Sequence, residues 1–229
     1  MIKDVIILNM FEELLSLWQP HRGLVGPPTS RIQLWSEGGR GVWISESWGP
    51  AVPYGPIDHE DGNQNHGYMQ VKGDAIGTRR IPEAMGWPEL VQFLDSLNAD
   101  ASPIESVGCE KSFFPVTGQG DITVCLGAYI DVIFSDPALN ERPENILLLA
   151  SHLLPAVEGC EKWWGNVSMV LQPMRFIAGA TAPWGLMLHI INHGRSEAEA
   201  RKFWGVTVER LGKATGALPK NLKWHENRR

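Results

Sequence analysis

Cysteine is scarce in this chain: three residues among 229, Cys109, Cys125 and Cys160, set far apart. An odd count with no Cys-x-x-Cys pair excludes a disulfide framework and a thiolate metal site, so the three read as buried free thiols. Long apolar runs are also missing. Residues 177–191 carry no charge, yet they include Pro183 and His189, so no membrane span is expected. A secretory signal is not expected either, because the apolar stretch 5–11 contains Asn9 and runs into Glu12 and Glu13. The expected compartment is the cytoplasm. Neither a Gly-x-Ser-x-Gly elbow, a Walker lysine loop, a His-Glu-x-x-His helix nor a Gly-x-Gly-x-x-Gly fingerprint occurs, which removes the commonest hydrolase, nucleotide-binding and zincin readings.

What is present is an ordinary folding composition, 43% hydrophobic and 20% charged, long enough to bury a core without staples. Acids outnumber bases, 26 Asp+Glu against 20 Lys+Arg, for a formal charge of −6. From residue 195 onward there are nine Lys/Arg and four Asp/Glu, so the tail is basic and the body before it is strongly acidic. An acidic body disfavours nucleic acid as a partner and favours a basic protein. Solubility alone accounts for the same charge.

Apolar residues at 11, 14, 15 and 18 predict a helix ended by Pro20. Residues 31–35 and 42–47 predict a hairpin joined through the glycine-rich stretch 36–41, followed by a long loop over 48–67. Pro88 opens a helix with Leu90, Val91, Leu94 and Leu97 on one face, ending near Asn98. Residues 122–134 are strand-like with a break or bulge at Gly127, and 145–154 read as a buried helix, a strand remaining the alternative. Strands are expected over 163–171 and 184–191. The last helix starts at a Ser196/Glu199 capping box, buries Ala200, Phe203, Trp204, Val208 and Leu211, and stops at Gly216. The even spacing of Trp-Gly at 164, 184 and 204 lacks matching flanks and is no repeat. Together these predict one α+β domain over 1–229, mostly antiparallel sheet with several packed helices; any division into two lobes falls near 100–120.

Chemistry-bearing residues concentrate in one place, 58–66, where Asp58, His59, Glu60, Asp61 and His66 stand within nine positions. They could ligate a divalent cation or pair an acid with a base, which makes a metal-assisted hydrolase one reading of the chain. The spacing fits neither an EF-hand nor another known metal loop, and a solvated acidic loop explains it equally. No cofactor and no metal are expected. Ten tryptophans are many for this length. Trp18, Trp87 and Trp204 fall on periodic faces and are expected in the core. Trp35, Trp43 and Trp48 lie on the hairpin beside the acidic loop, where core packing and partner contact both account for them. With Glu37, Glu46, Asp58, Glu60 and Asp61 they form the candidate partner-binding set. His152 and His189, in apolar runs, read as core histidines.

The acidic body, the Trp/Gly-rich hairpins, the strand Gly-Ala-Tyr-Ile-Asp-Val-Ile-Phe at 127–134 and the Trp163-Trp164-Gly165 segment together resemble the immunity protein 52 family of bacterial polymorphic-toxin and type VI secretion systems. The resemblance covers most of the chain and rests on no single motif. It implies a non-enzymatic protein that binds and blocks a secreted antibacterial toxin, one whose domain resembles a restriction-endonuclease nuclease. Such a toxin would be basic, the partner already favoured by charge. No catalytic residue is implied, and the sequence sets no oligomeric state.

Overall fold

The computed structural model describes residues 10–14, 31–45, 51–58, 60, 64–74, 76–176 and 183–218. Among the described residues ten strands run in chain order: β1 (Arg31–Glu37), β2 (Arg40–Ser45), β3 (Ala51–Val52), β4 (Ile57–Asp58), β5 (Gln64–Asn65), β6 (Ile104–Gln119), β7 (Ile122–Phe134), β8 (Gly165–Pro173), β9 (Arg175–Phe176) and β10 (Trp184–Gly194). Helical residues are 10–14 (α1), Pro88–Asn98 (α2), Pro137–Asn140 (α3), Pro143–Leu153 (α4) and Glu197–Gly216 (α5). One six-stranded sheet in the order β1-β2-β8-β10-β7-β6 organises the fold, antiparallel at every pairing except the parallel β2–β8 contact. The protein is α+β. Among the described residues no helix is long and apolar enough to cross a membrane.

Alternation along β10 shows how the sheet is used. Leu186, Leu188 and Ile190 are fully buried, while Met187, His189 and Ile191 between them are half-buried. Side chains of period two point to opposite faces, so the first set defines the helix-bearing face, against which α2, α4 and α5 pack. The register carries that face across to Val167, Met169 and Leu171 of β8 and to Leu126, Ala128, Ile130 and Val132 of β7.

The helices form where their apolar stripes demand it. α2 begins with Pro88, whose missing N–H is lost at no cost in a first turn, and buries Leu90, Phe93, Leu94 and Leu97. α4 buries eight of its eleven residues, from Asn145 to Leu153, and is a helix rather than the alternative strand. At the start of α5 the Glu199 amide donates to Ser196 Oγ (3.2 Å). The Glu199 carboxylate does not close a reciprocal box on Ser196. It accepts instead from the Arg195 amide (2.7 Å) and guanidinium, one residue earlier. Trp204 is fully buried against Trp87, edge to face at 5.1 Å.

Several expectations are corrected. The hairpin closes through Gly38-Gly39 alone, both at positive φ (54° and 76°), a two-residue turn whose twist matches the strands, so 36–41 is mostly strand. β7 passes straight through Gly127, because the space lacking a side chain is used by Ser112 of β6: a Cβ there would meet its Oγ at 3.0 Å. β6 has no counterpart in the sequence reading. Its Gly108, Glu110, Lys111 and Pro115 interrupt any strand pattern, and they are tolerated because β6 is an edge strand with a bulge between Ser106 and Gly108. Residues 48–67 are not one irregular loop, since β3, β4 and β5 fall inside them. Trp163 belongs to a 3-10 turn, Cys160–Trp163, and β8 starts after it. The helix expected over 11–18 is described only as far as residue 14.

Candidate partner-binding surface

Beyond the β1–β2 hairpin the chain leaves the sheet and returns as an arm. β3 pairs with β9; β4 and β5 then pair antiparallel, Ile57 opposite Asn65 and Asp58 opposite Gln64; and residues 66–70 come back beside Tyr54. At the base of this arm the Tyr68 amide donates to the Tyr54 carbonyl (2.9 Å), and the two rings meet edge-on at 6.2 Å. Val52 and half-buried Tyr68 join Val107, Ile133 and Met174 in a small apolar cluster of their own. The arm is thereby clamped to the face of β6 and β7 opposite the helices.

Carboxylates collect along this arm and the neighbouring flank of β6. Asp58, Glu60 and Glu110 are exposed; Glu83 and Glu105 are half-buried. Glu83 accepts from the His66 amide (3.4 Å) and Glu105 from Gln70 Nε2 (3.2 Å), contacts that add no positive charge. The two nearby lysines are directed elsewhere. Lys72 donates to the carbonyls of Ala99, Ser102 and Ile104, and Lys111 to the Met85 carbonyl while lying over the Trp87 ring. None of these five acids has a cation within ion-pair distance among the described residues.

Inside the acidic flank sits a buried one. Asp131, 3% exposed, accepts from Gln172 Nε2 (2.7 Å), and burial pushes its carboxyl up to about 7 despite that bond. Gly108 makes room beside it: a Cβ there would lie 3.2 Å from Asp131 Oδ2 and 3.3 Å from Tyr54 Oη. Burial, ahead of the neighbouring Cys109 and Asp131, pushes the Tyr54 phenol up to about 12, and burial ahead of Glu110 raises Tyr129. The Cys109 thiol is pushed up to about 12 for the same reason and is no nucleophile at neutral pH. Sequence reasoning passed over this cluster. Its one signal was Asp131 itself, the lone charge in the apolar strand 122–134.

The sequence-predicted residues are only partly brought together. Trp35 pairs with Val42 across the hairpin and lies on the helix-bearing face, half-buried under Arg40 (5.3 Å), whereas Trp43 pairs with Gln33 and faces the other way. The bulge between Gln33 and Trp35 separates them onto opposite faces. Glu37 is exposed and reaches back to the guanidinium of Arg40 (3.3 Å). Asp58 and Glu60 are exposed on the arm. Glu46, Trp48, His59 and Asp61 lie outside the described residues, as do Trp18 and part of the 58–66 stretch; among the described residues no three metal-ligating side chains converge. Of the cysteines, all free, Cys160 is fully buried and Cys109 and Cys125 are half-buried. His189 is also half-buried, on the helix-free face, with its pKa lowered by burial and by Arg31.

No protein-family model, curated protein or solved structure matches this chain.

Proposed function

We propose that the protein is an immunity protein: it binds a cognate secreted antibacterial toxin, a basic nuclease domain, and neutralises it by non-covalent occlusion, with no catalysis of its own. The observation that carries this reading is the acidic surface formed by Asp58, Glu60, Glu83, Glu105 and Glu110, none of which is ion-paired among the described residues, while the ammonium groups of Lys72 and Lys111 donate to backbone carbonyls. Leaving acids unpaired on one flank lowers stability slightly and earns nothing for folding, whereas it steers a positively charged partner and complements it at contact. A nuclease that grips phosphates presents such a charge. The resemblance to the immunity protein 52 family points the same way.

The test is co-expression with the toxin encoded beside this gene. The expected results are rescue of growth and a stable complex that survives purification. If the neighbouring gene product neither binds the protein nor becomes harmless in its presence, the reading is wrong.

A further inference from the structure

A sheet face left to water is polar as a rule, and the helix-free face of this sheet is not. The alternation that buries Leu186, Leu188 and Ile190 of β10 under the helices turns Met187, His189 and Ile191 outward, and the register sets Tyr129 of β7 beside His189, Cys125 beside His193, and Trp43 of β2 beside Val170 of β8. The outward positions of β2, β7, β8 and β10 hold no Lys, Arg or Glu, and their one Asp, Asp131, is buried. Trp43, Tyr129, Met187 and Ile191 are half-buried, and Phe114 of β6, opposite Cys125, is 55% exposed. Among the described residues none of these five belongs to the main core or to the small cluster under the arm. The arm seats Val52 and Tyr68 on Ile133, at one end of the face only. We propose, resting on the function given above, that this face is the seat of the toxin: an apolar patch of the basic domain packs on Trp43, Tyr129, Ile191 and Phe114, and the cations around that patch lie over the carboxylates of β6 and the arm.

Charge selects and orients the occupant. Glu110 stands opposite Tyr129 and Glu105 opposite Ile133, so both acids border this same face along β6, and exposed Asp58 and Glu60 continue the border on the arm. The β1 border differs: Gln33 stands opposite Trp43 and Arg31 opposite Ser45, both exposed and neither acidic. An apolar centre beside a charged rim is the anatomy of a protein interface. A basic domain fits it in one orientation, with its cations over β6 and the arm and turned away from Arg31. The two parts then divide the work, the acids drawing the partner in and the aromatic and aliphatic side chains holding it. An uncharged surface of this kind lowers solubility and adds nothing to the core on the other side of the sheet, and contact with a partner gives it a use.

The test is the kinetics of binding between the full chain and the toxin encoded beside its gene. Phe114→Ser and Ile191→Lys, each first shown by thermal melting to be folded, should raise the dissociation rate about tenfold or more and leave association within about twofold. Val206→Lys, at an exposed position of α5 on the other side of the sheet, should change neither rate. Alkylation of the free Cys125 thiol, which needs no variant, should slow about tenfold in the complex because the partner covers it. Wild-type binding with dissociation unchanged in both face variants and Cys125 equally reactive overturns the seat and leaves the proposed function standing. A wild-type chain that does not bind the toxin overturns that function and the seat with it. A free chain that sediments as a dimer and is returned to monomer by Ile191→Lys assigns the face to a second copy and overturns the seat.

Discussion

Asp131 is a buried acid held far from its ordinary state, and its effect on stability has a definite sign. Burial pushes its folded carboxyl up to about 7 from an ordinary 3.8, so between those pH values the folded chain holds a proton that the unfolded chain has released. The stabilisation is therefore complete below the unfolded value and is lost as pH rises through about 7. Asp131→Asn should flatten that decline and be the more stable form at pH 8.5, by roughly 2–4 kcal/mol; denaturant melts at pH 5 and 8.5 measure it. A steeper decline in the variant would remove the acid from this account. At the hairpin turn, Gly39 (φ +76°) has the Gly165 carbonyl 2.7 Å from where a Cβ would sit. Gly39→Ala should cost about 2–3 kcal/mol through the strained backbone and the collision together, read as a fall in Tm.

Among the elements, α5 is the one most fully written in the sequence. Ser196→Ala should remove the bond to the Glu199 amide and cost about 1 kcal/mol. Trp204→Ala, emptying a fully buried site against Trp87, should cost about 3–5 kcal/mol. Thermal melts distinguish the two, and equal shifts would contradict the packing described. Both helix starts that carry Pro88 and Ser196 were legible because a cap and an apolar stripe are local signals. β6 was illegible for the opposite reason: an edge strand is half solvated, so it tolerates the Glu110, Lys111 and Pro115 that erase periodicity, and only its pairing with β7 makes it a strand. Trp35 and Trp43 show the same limit at finer grain. Their residue types suggested one patch, yet a single bulge, set by tertiary contact, turned them to opposite faces.

For the molecule as a whole, the acidic flank makes a kinetic prediction. Reversing Asp58, Glu60 and Glu110 to Lys should slow association with the basic toxin proposed as its partner and weaken its dependence on salt. Stability should move by no more than about 0.5 kcal/mol per site, because all three are exposed and none is ion-paired among the described residues. Stopped-flow binding at two ionic strengths is the measurement, and unchanged rates would move the interface off this flank. The net charge favours a basic partner from composition alone. It could not give the place, because Glu83, Glu105 and Glu110 reach the arm through the fold and not through sequence proximity to Asp58.

The parallel seam between β2 and β8 orders events in time. Arg40 finds its partner only when Val167 has been made, and β3 must likewise wait for β9. On the ribosome the β1–β2 hairpin therefore emerges with one flank open for most of synthesis, a two-stranded ribbon too small to hold itself together. Loop closure of that length sets a slow, late docking step, so the nascent N-terminal third is where chaperones would engage and where strand-edge aggregation would begin.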